Sequence, residues 1–154
     1  MNNNKPKAII FDMDGTLADV SGIRHYLRPT PPHRGKNFDA FHNASVDCPP
    51  NAVVVSHASV AHLLGYKIII VTARKAMWRD HTAWWLALHG VPSDAMFMRG
   101  NKDSRPDYLV KKDILDAILH TWDVVHAVDD NPSVIALWQE HGIPTTIVEG
   151  WEDE

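Results

Sequence analysis

The chain is expected to fold as an α/β protein with a doubly wound, mainly parallel, Rossmann-like sheet, and three features of the sequence carry that expectation. Short apolar runs alternate with segments of helical period along the whole chain. The run at 68–71 (IIIV) contains no polar residue, as a strand covered on both faces requires. Polar and acidic residues stand directly after several of these runs, where open parallel sheets gather their ligands. A length of 154 residues suits one domain with a substantial core, here with an irregular insert at about 18–50.

The elements follow in order. Residues 8–11 (AIIF) form a first strand that runs into Asp12 and Asp14. Pro29, Pro31, Pro32, Pro49 and Pro50 break up the insert, leaving room for a short helix around 39–45. From Asn51 the period becomes helical, with Val53, Val60 and Leu64 on one stripe and Gly65 as the stop. After the strand at 68–71, a helix runs from about Met77 to His89 and is closed by Gly90 and Pro92. DAMFM, at 94–98, is a third short strand. The next helix should open on a capping box from Ser104 to Asp107 and turn Val110, Ile114 and Ile118 to the core. VVHAVDD ends a strand on two carboxylates. The helix after it has Asn131 as N-cap, Pro132 at its first position and Gly142 as stop. PTTIV supplies the last strand.

Composition narrows the function classes. A net charge of −4 creates no global field toward nucleic acid or membranes. The single cysteine, Cys48, excludes an intramolecular disulfide and fits a reducing compartment. MNNNKPK lacks the apolar core of a signal peptide and no apolar run approaches membrane-spanning length, so a cytoplasmic protein without a membrane partner is expected. Charge is locally uneven: Arg24, Arg28, Arg34 and Lys36 form a basic stretch, with Tyr26 and Phe38 nearby, that could meet backbone phosphates or a base. His57 and His62 do not share a helix face, and no zinc pattern emerges. Trp78, Trp84 and Trp85 are expected to serve packing, and Asp19 to be a loop residue.

The carboxylates carry the chemistry. Asp12, Asp14, Asp129 and Asp130 all fall at strand ends, where four converging negative charges need a cation. An all-oxygen set with open positions suits Mg²⁺. A carboxylate can attack phosphorus to form an aspartyl-phosphate, and a second carboxyl two residues on can protonate the leaving oxygen and then activate water. Thr72 and Arg74 follow the second strand. A lysine of a later helix, Lys111 or Lys112, can hold the phosphoryl oxygens as charge builds; Lys111, beside core-facing Val110, is the better placed.

These residues carry a resemblance. FDMDGTL, IIIVTAR, Lys111 and VDDNP resemble, in order and separation, the four motifs of the haloacid dehalogenase (HAD) superfamily of aspartate-nucleophile phosphohydrolases. The resemblance implies that Asp12 is the nucleophile, Asp14 the general acid/base, and Thr72 and Lys111 the phosphate binders. It also implies a Mg²⁺ site from Asp12, Asp14 through its main-chain carbonyl, and Asp129 or Asp130. Within the superfamily, VTAR, MRGNKDSRPDYLVKKDIL and AVDDNPSVIALWQEHGI are similar to the 3′-phosphatase domain of phage polynucleotide kinases, over about residues 7–148. That similarity adds Arg74, Arg99, Arg105 and Arg24 as substrate-binding candidates. No G-x-x-x-x-G-K-[ST] loop occurs, so a kinase or ligase would be a separate partner. The spacing between motifs leaves no room for a large cap domain, which suits a large substrate such as a nucleic-acid end; the expected substrate is a 3′-phosphate on a polynucleotide end or on a nucleoside. The alternatives are a small-molecule phosphatase, such as a 5′-nucleotidase, and a catalytically idle module that binds phosphorylated ends; a pure binder has no use for both Asp12 and Asp14.

Overall fold

A computed structural model describes residues 4–28 and 35–152. Five strands, β1 (Lys7–Phe11), β2 (Lys67–Lys75), β3 (Ala95–Arg99), β4 (Asp123–Asp129) and β5 (Thr145–Ile147), form one sheet in the order β3-β2-β1-β4-β5. Every pairing is parallel. The chain winds outward from β1 through β2 to β3, then crosses back to β4 and on to β5. The order therefore reverses beside β1, and the crevice beyond β1 and β4 is where such sheets bind ligands.

Strand geometry divides the core in two. Ile9 and Phe11 point to one face and Ala8 and Ile10 to the other, as a period of two demands. The first face is covered by α2 (Ala52–Leu63) and α3 (Arg79–Leu88), which contribute Val54, Ala58, Ala61, Trp85 and Leu86. The second is covered by α4 (Asp107–Ile118) and α5 (Pro132–Glu140), through Leu115, Ile118, Val134, Leu137 and Trp138. Each large side chain so buried contributes about 1.5–3 kcal/mol.

Two expectations need correction. On α2 the stripe of Val53, Val60 and Leu64 faces outward, 80%, 55% and 72% exposed, while Val54, Ala58 and Ala61 face the sheet. This helix is apolar on every side, so periodicity does not choose a face; small alanines that admit close approach do. On α4 the residue before the first turn is Pro106, with no side-chain cap, and Ser104 takes no capping role. Asp107 instead pairs with Arg99. Asn131 and Pro132 open α5 as expected, the Asn131 side chain accepting from the Ser133 amide at 3.1 Å.

β2 extends past the apolar run through Thr72 and Arg74, and its register against β3 shifts between Val71 and Lys75. The insert holds a 3-10 turn at Ser21–Leu27, α1 (Phe38–Ala44) and another 3-10 turn at Ser45–Asp47, with no sheet of its own among the described residues. Pro29, Pro31, Pro32 and Arg34 lie outside the described residues. No described helix is long and apolar enough to cross a membrane.

Candidate active site

The ends of β1 and β4 are tied together before any side chain is considered. The Asp12 amide donates to the Val128 carbonyl at 3.0 Å, which draws Asp12 alongside Asp129. The chain then turns sharply, and Gly15 takes φ +80°. A β-carbon there would lie 2.1 Å from Oδ2 of Asp130, so only glycine lets the turn close over the end of β4. Thr16 follows, and its hydroxyl donates to Oδ2 of Asp12 at 3.0 Å and lies 3.4 Å from Oδ1 of Asp130.

Asp129 is fully engaged. Its Oδ1 accepts from the amides of Asp130 and Asn131 at 2.9 and 3.0 Å, and its Oδ2 faces Lys111 at 3.0 Å and the Trp138 indole at 3.5 Å. Asp130 is not: its Oδ2 is buried without a hydrogen-bond partner, with the Arg24 guanidinium 3.7 Å away. Carboxylate oxygens of Asp12, Asp129 and Asp130 all lie within 4.8 Å of one another. The Asp14 carboxylate stands outside this group.

Lys111 answers part of the accumulated charge. Its ammonium, buried in α4, donates to Oδ1 of Asp12 at 2.8 Å as well as to Asp129. Lys112 points to solvent, 4.0 Å from Asp116, so helix facing selects Lys111. Burial works against the Lys111 charge, but Asp12 and Asp129 outweigh it and raise its pKa. One ammonium is not enough for three acids. Burial and the charge of Asp129 push Asp12 up to about 6 despite Lys111. Burial with the charges of Asp12 and Asp129 pushes Asp130 up to about 9.

Asp14 lies in a second electrostatic unit. Burial favours its neutral form, but the Arg74 guanidinium grips it with Nε to Oδ2 at 2.9 Å and Nη2 to Oδ1 at 2.5 Å, and the net effect is a lowered pKa. Arg74 is aimed by Thr82, whose hydroxyl accepts from Nη1 at 3.0 Å and donates to the Trp78 carbonyl at 2.9 Å. Thr72 is buried at the same rim, and among the described residues its oxygen accepts only the Arg74 amide, at 3.2 Å.

The other candidate arginines fall in three settings. Arg24 is buried against Asp130. Arg105 is half exposed and bridges Asp103 and Asp113. Arg99 is buried and spends four of its five N–H groups on the protein: the carbonyls of Ala73, Asp103 and Arg105, and the Asp107 carboxylate. It lines the cavity but chiefly fixes the loop between β3 and α4. Arg99→Ala is therefore expected to lower the melting temperature by several degrees as well as activity, because three carbonyls lose their donor. Arg99→Lys should restore little of either, since an ammonium cannot span that fan of acceptors. Melting curves of both variants check this.

Other sequence expectations fall into place. Asp19 is a loop residue whose carboxylate accepts from the Ser21 amide. Cys48 is buried, and burial pushes its thiol up to about 11, away from nucleophilic use. Of the tryptophans expected to serve packing only Trp85 lies in the core, its indole donating to the Cys48 carbonyl; that expectation is corrected for Trp84, which is exposed, and for Trp78, which lines the cavity. Of the basic stretch, Arg28 pairs with Glu152 and Lys36 lies 5.9 Å from the Phe38 ring. Sequence reasoning missed Thr16, and it did not single out His42 or place Trp78 at the cavity. A hydroxyl two residues after Asp14 was a usable signal for Thr16. His42 had none, because a single histidine on a short helix carries no spacing to read.

Comparison with known proteins follows from this geometry. Residues 6–150 match the family described as the polynucleotide kinase PNKP phosphatase domain. The chain belongs to that family. A protein of Autographa californica nuclear polyhedrosis virus, named for bifunctional polynucleotide kinase/RNA ligase activity, is 26% identical over 145 residues, covering 91% of this chain and 19% of its own. A chain in the Pnkp1/Rnl/Hen1 RNA repair complex superposes with a TM-score of 0.81 at 27% identity, covering 96% of this chain and 44% of that one. The class C acid phosphatase of Bacillus anthracis shares the fold, with a TM-score of 0.71 at 18% identity over 94% of this chain and 67% of that one. This chain thus spans about a fifth of the viral relative and less than half of the repair-complex chain. The HAD-type architecture expected from the sequence is present, and PNKP phosphatase-domain membership is that of a phosphoric monoester hydrolase family.

Proposed function

We propose that this chain hydrolyses the 3′-phosphate of polynucleotide ends or of nucleotides, through an aspartyl-phosphate on Asp12. The observation that carries the reading is Asp12 itself, buried at the end of the central strand with one oxygen held by Lys111 and the other by Thr16. A carboxylate so fixed loses little freedom on reaching an in-line attack. Its electron pair forms the new P–O bond as the ester P–O bond breaks, and the departing oxygen takes a proton. Lys111 and Thr72 bear the charge that builds on the phosphoryl oxygens.

Asp14 handles the proton. Paired with Arg74 it is ionised, so in this arrangement it is a base for the water that later cleaves the phosphoenzyme. Protonating the leaving oxygen requires that pair to open and Asp14 to take up a proton beforehand, which it passes to the departing oxygen and regains from the attacking water. Arg24 and Arg105 border the cavity and offer charge to further backbone phosphates, while Arg99 holds one wall in place.

Mg²⁺ fits the acidic group. The donors are hard oxygens, and a buried Asp130 oxygen is without a hydrogen-bond partner. Asp130 and Asp12 would hold the ion with the main-chain carbonyl of Asp14, while Asp129, its oxygens engaged, orients them. When bound, the cation offsets the repulsion between the incoming phosphate and the carboxylates. Without it burial and the neighbouring acids raise Asp12 to about 6 and Asp130 to about 9, so ion binding releases protons and strengthens as pH rises. Mg²⁺ is expected to raise the melting temperature more at about pH 8 than at about pH 5.5. A shift independent of pH would remove Asp12 and Asp130 from the ion site.

The substrate is tested by a phosphate-release panel of 3′-phosphorylated DNA and RNA, 3′- and 5′-mononucleotides, and sugar phosphates. The 3′-ends should lead; a 5′-nucleotide or a sugar phosphate in first place overturns the assignment. A separate kinase or ligase would complete an end-repair reaction, as the repair-complex relative suggests. A cytoplasmic setting suits the single reduced Cys48.

A further inference from the structure

The cavity is much larger than a phosphate requires. It encloses about 530 Å³, within the range of sites that hold whole small ligands. The carboxylates and Thr72 occupy only part of its lining. Another part is aromatic and comes from outside the sheet: Phe38 and His42 on α1, and Trp78 in the turn before α3.

These rings lie close together. Phe38 and His42 are nearly parallel, 20° between planes with centroids 6.3 Å apart, and His42 and Trp78 are 5.8 Å apart. Phe38 is 49% exposed and Trp78 only partly buried, so flat π surface remains open to the cavity. His42 is buried among Phe38, Phe41 and Trp78, and burial pushes it down to about 4, so it is a neutral ring that backs the exposed ones. Asp14, Thr72 and Arg74 line the same cavity as these rings, which places the rings next to the phosphate chemistry.

A ligand that needs both walls must carry a phosphate and, a few bonds away, a flat π face. We infer that Phe38 and Trp78, backed by His42, form a stacking platform for the base of the nucleotide that loses its phosphate. The inference rests on the phosphatase reading above and extends it to the leaving group.

The test compares two 3′-phosphorylated oligonucleotides that differ only in whether the last nucleotide carries a base or is abasic. The quantity read is the ratio of kcat/KM for the two ends, measured on one preparation, so the folded fraction cancels. The ratio should favour the base-bearing end by about tenfold or more in the native protein. It should fall toward unity in Phe38→Ala and Trp78→Ala, mainly through KM, and survive in Trp78→Phe. A native ratio near unity, or a ratio untouched by both alanine variants, overturns the platform. If neither 3′-end is hydrolysed, the 3′-phosphatase reading has failed by itself. The same ratio, taken between a nucleoside 5′-phosphate and ribose 5-phosphate, then decides the platform: collapse in the variants supports it and constancy refutes it.

Discussion

Asp12→Asn is expected to abolish phosphate release from every substrate, a loss of at least about a thousandfold. The carboxamide matches the carboxylate in shape and can still accept from Lys111, but it has no electron pair basic enough to attack phosphorus. The same change removes one of three clustered negative charges. Because burial and the charge of Asp129 disfavour the ionised form of Asp12, raising it to about 6, its neutral replacement should leave stability intact or slightly improved near neutral pH. Loss of turnover with retained melting temperature separates chemistry from folding. Surviving turnover above about a hundredth of native would mean that another group attacks. Asp14→Asn should instead slow the second step and let phosphoenzyme accumulate, which acid quenching with labelled phosphate would reveal.

Which parts of this site could be read from the sequence depends on how local each signal is. Strand ends are legible because a run such as 68–71 stops where polarity begins, and parallel strands bring those ends together by topology alone. Asp12, Asp129 and Asp130 therefore meet as expected. Lys111 was legible from helix facing, since Val110 marks the buried side. The face of α2 was not legible, because its apolar residues surround the helix and the choice was left to alanine packing. Arg99 shows a different limit. Its residue type suits a phosphate ligand, but its partners are carbonyls of the following loop, and backbone acceptors leave no trace in a sequence. The aromatic wall was hidden because Phe38 and Trp78 are 40 positions apart on different elements, joined only by how α1 settles against the turn before α3.

Lys111→Met is expected to have the largest effect on stability. The side chains are similar in length, so packing changes little, but Asp12 and Asp129 lose a buried counter-charge that touches both. Removing one partner of a buried ion pair costs about 3–5 kcal/mol when the remaining charge cannot neutralise. Here it can neutralise, and that gives the variant a pH signature. Without Lys111 the Asp12 pKa rises further above its unfolded value, so the folded state holds a proton that the unfolded chain gives up above about pH 4. Stability from such a group is present at low pH and lost as pH rises toward the folded pKa. The deficit relative to native protein should accordingly be small near pH 5 and approach its full size by about pH 8. A divalent cation places positive charge among the same carboxylates, so Mg²⁺ should recover part of the loss at the higher pH even though turnover stays absent. Thermal melts at both pH values, with and without Mg²⁺, read the outcome. An equal deficit at both would show that Lys111 matters for the volume it fills, and that the acids of this site are balanced by something other than its charge.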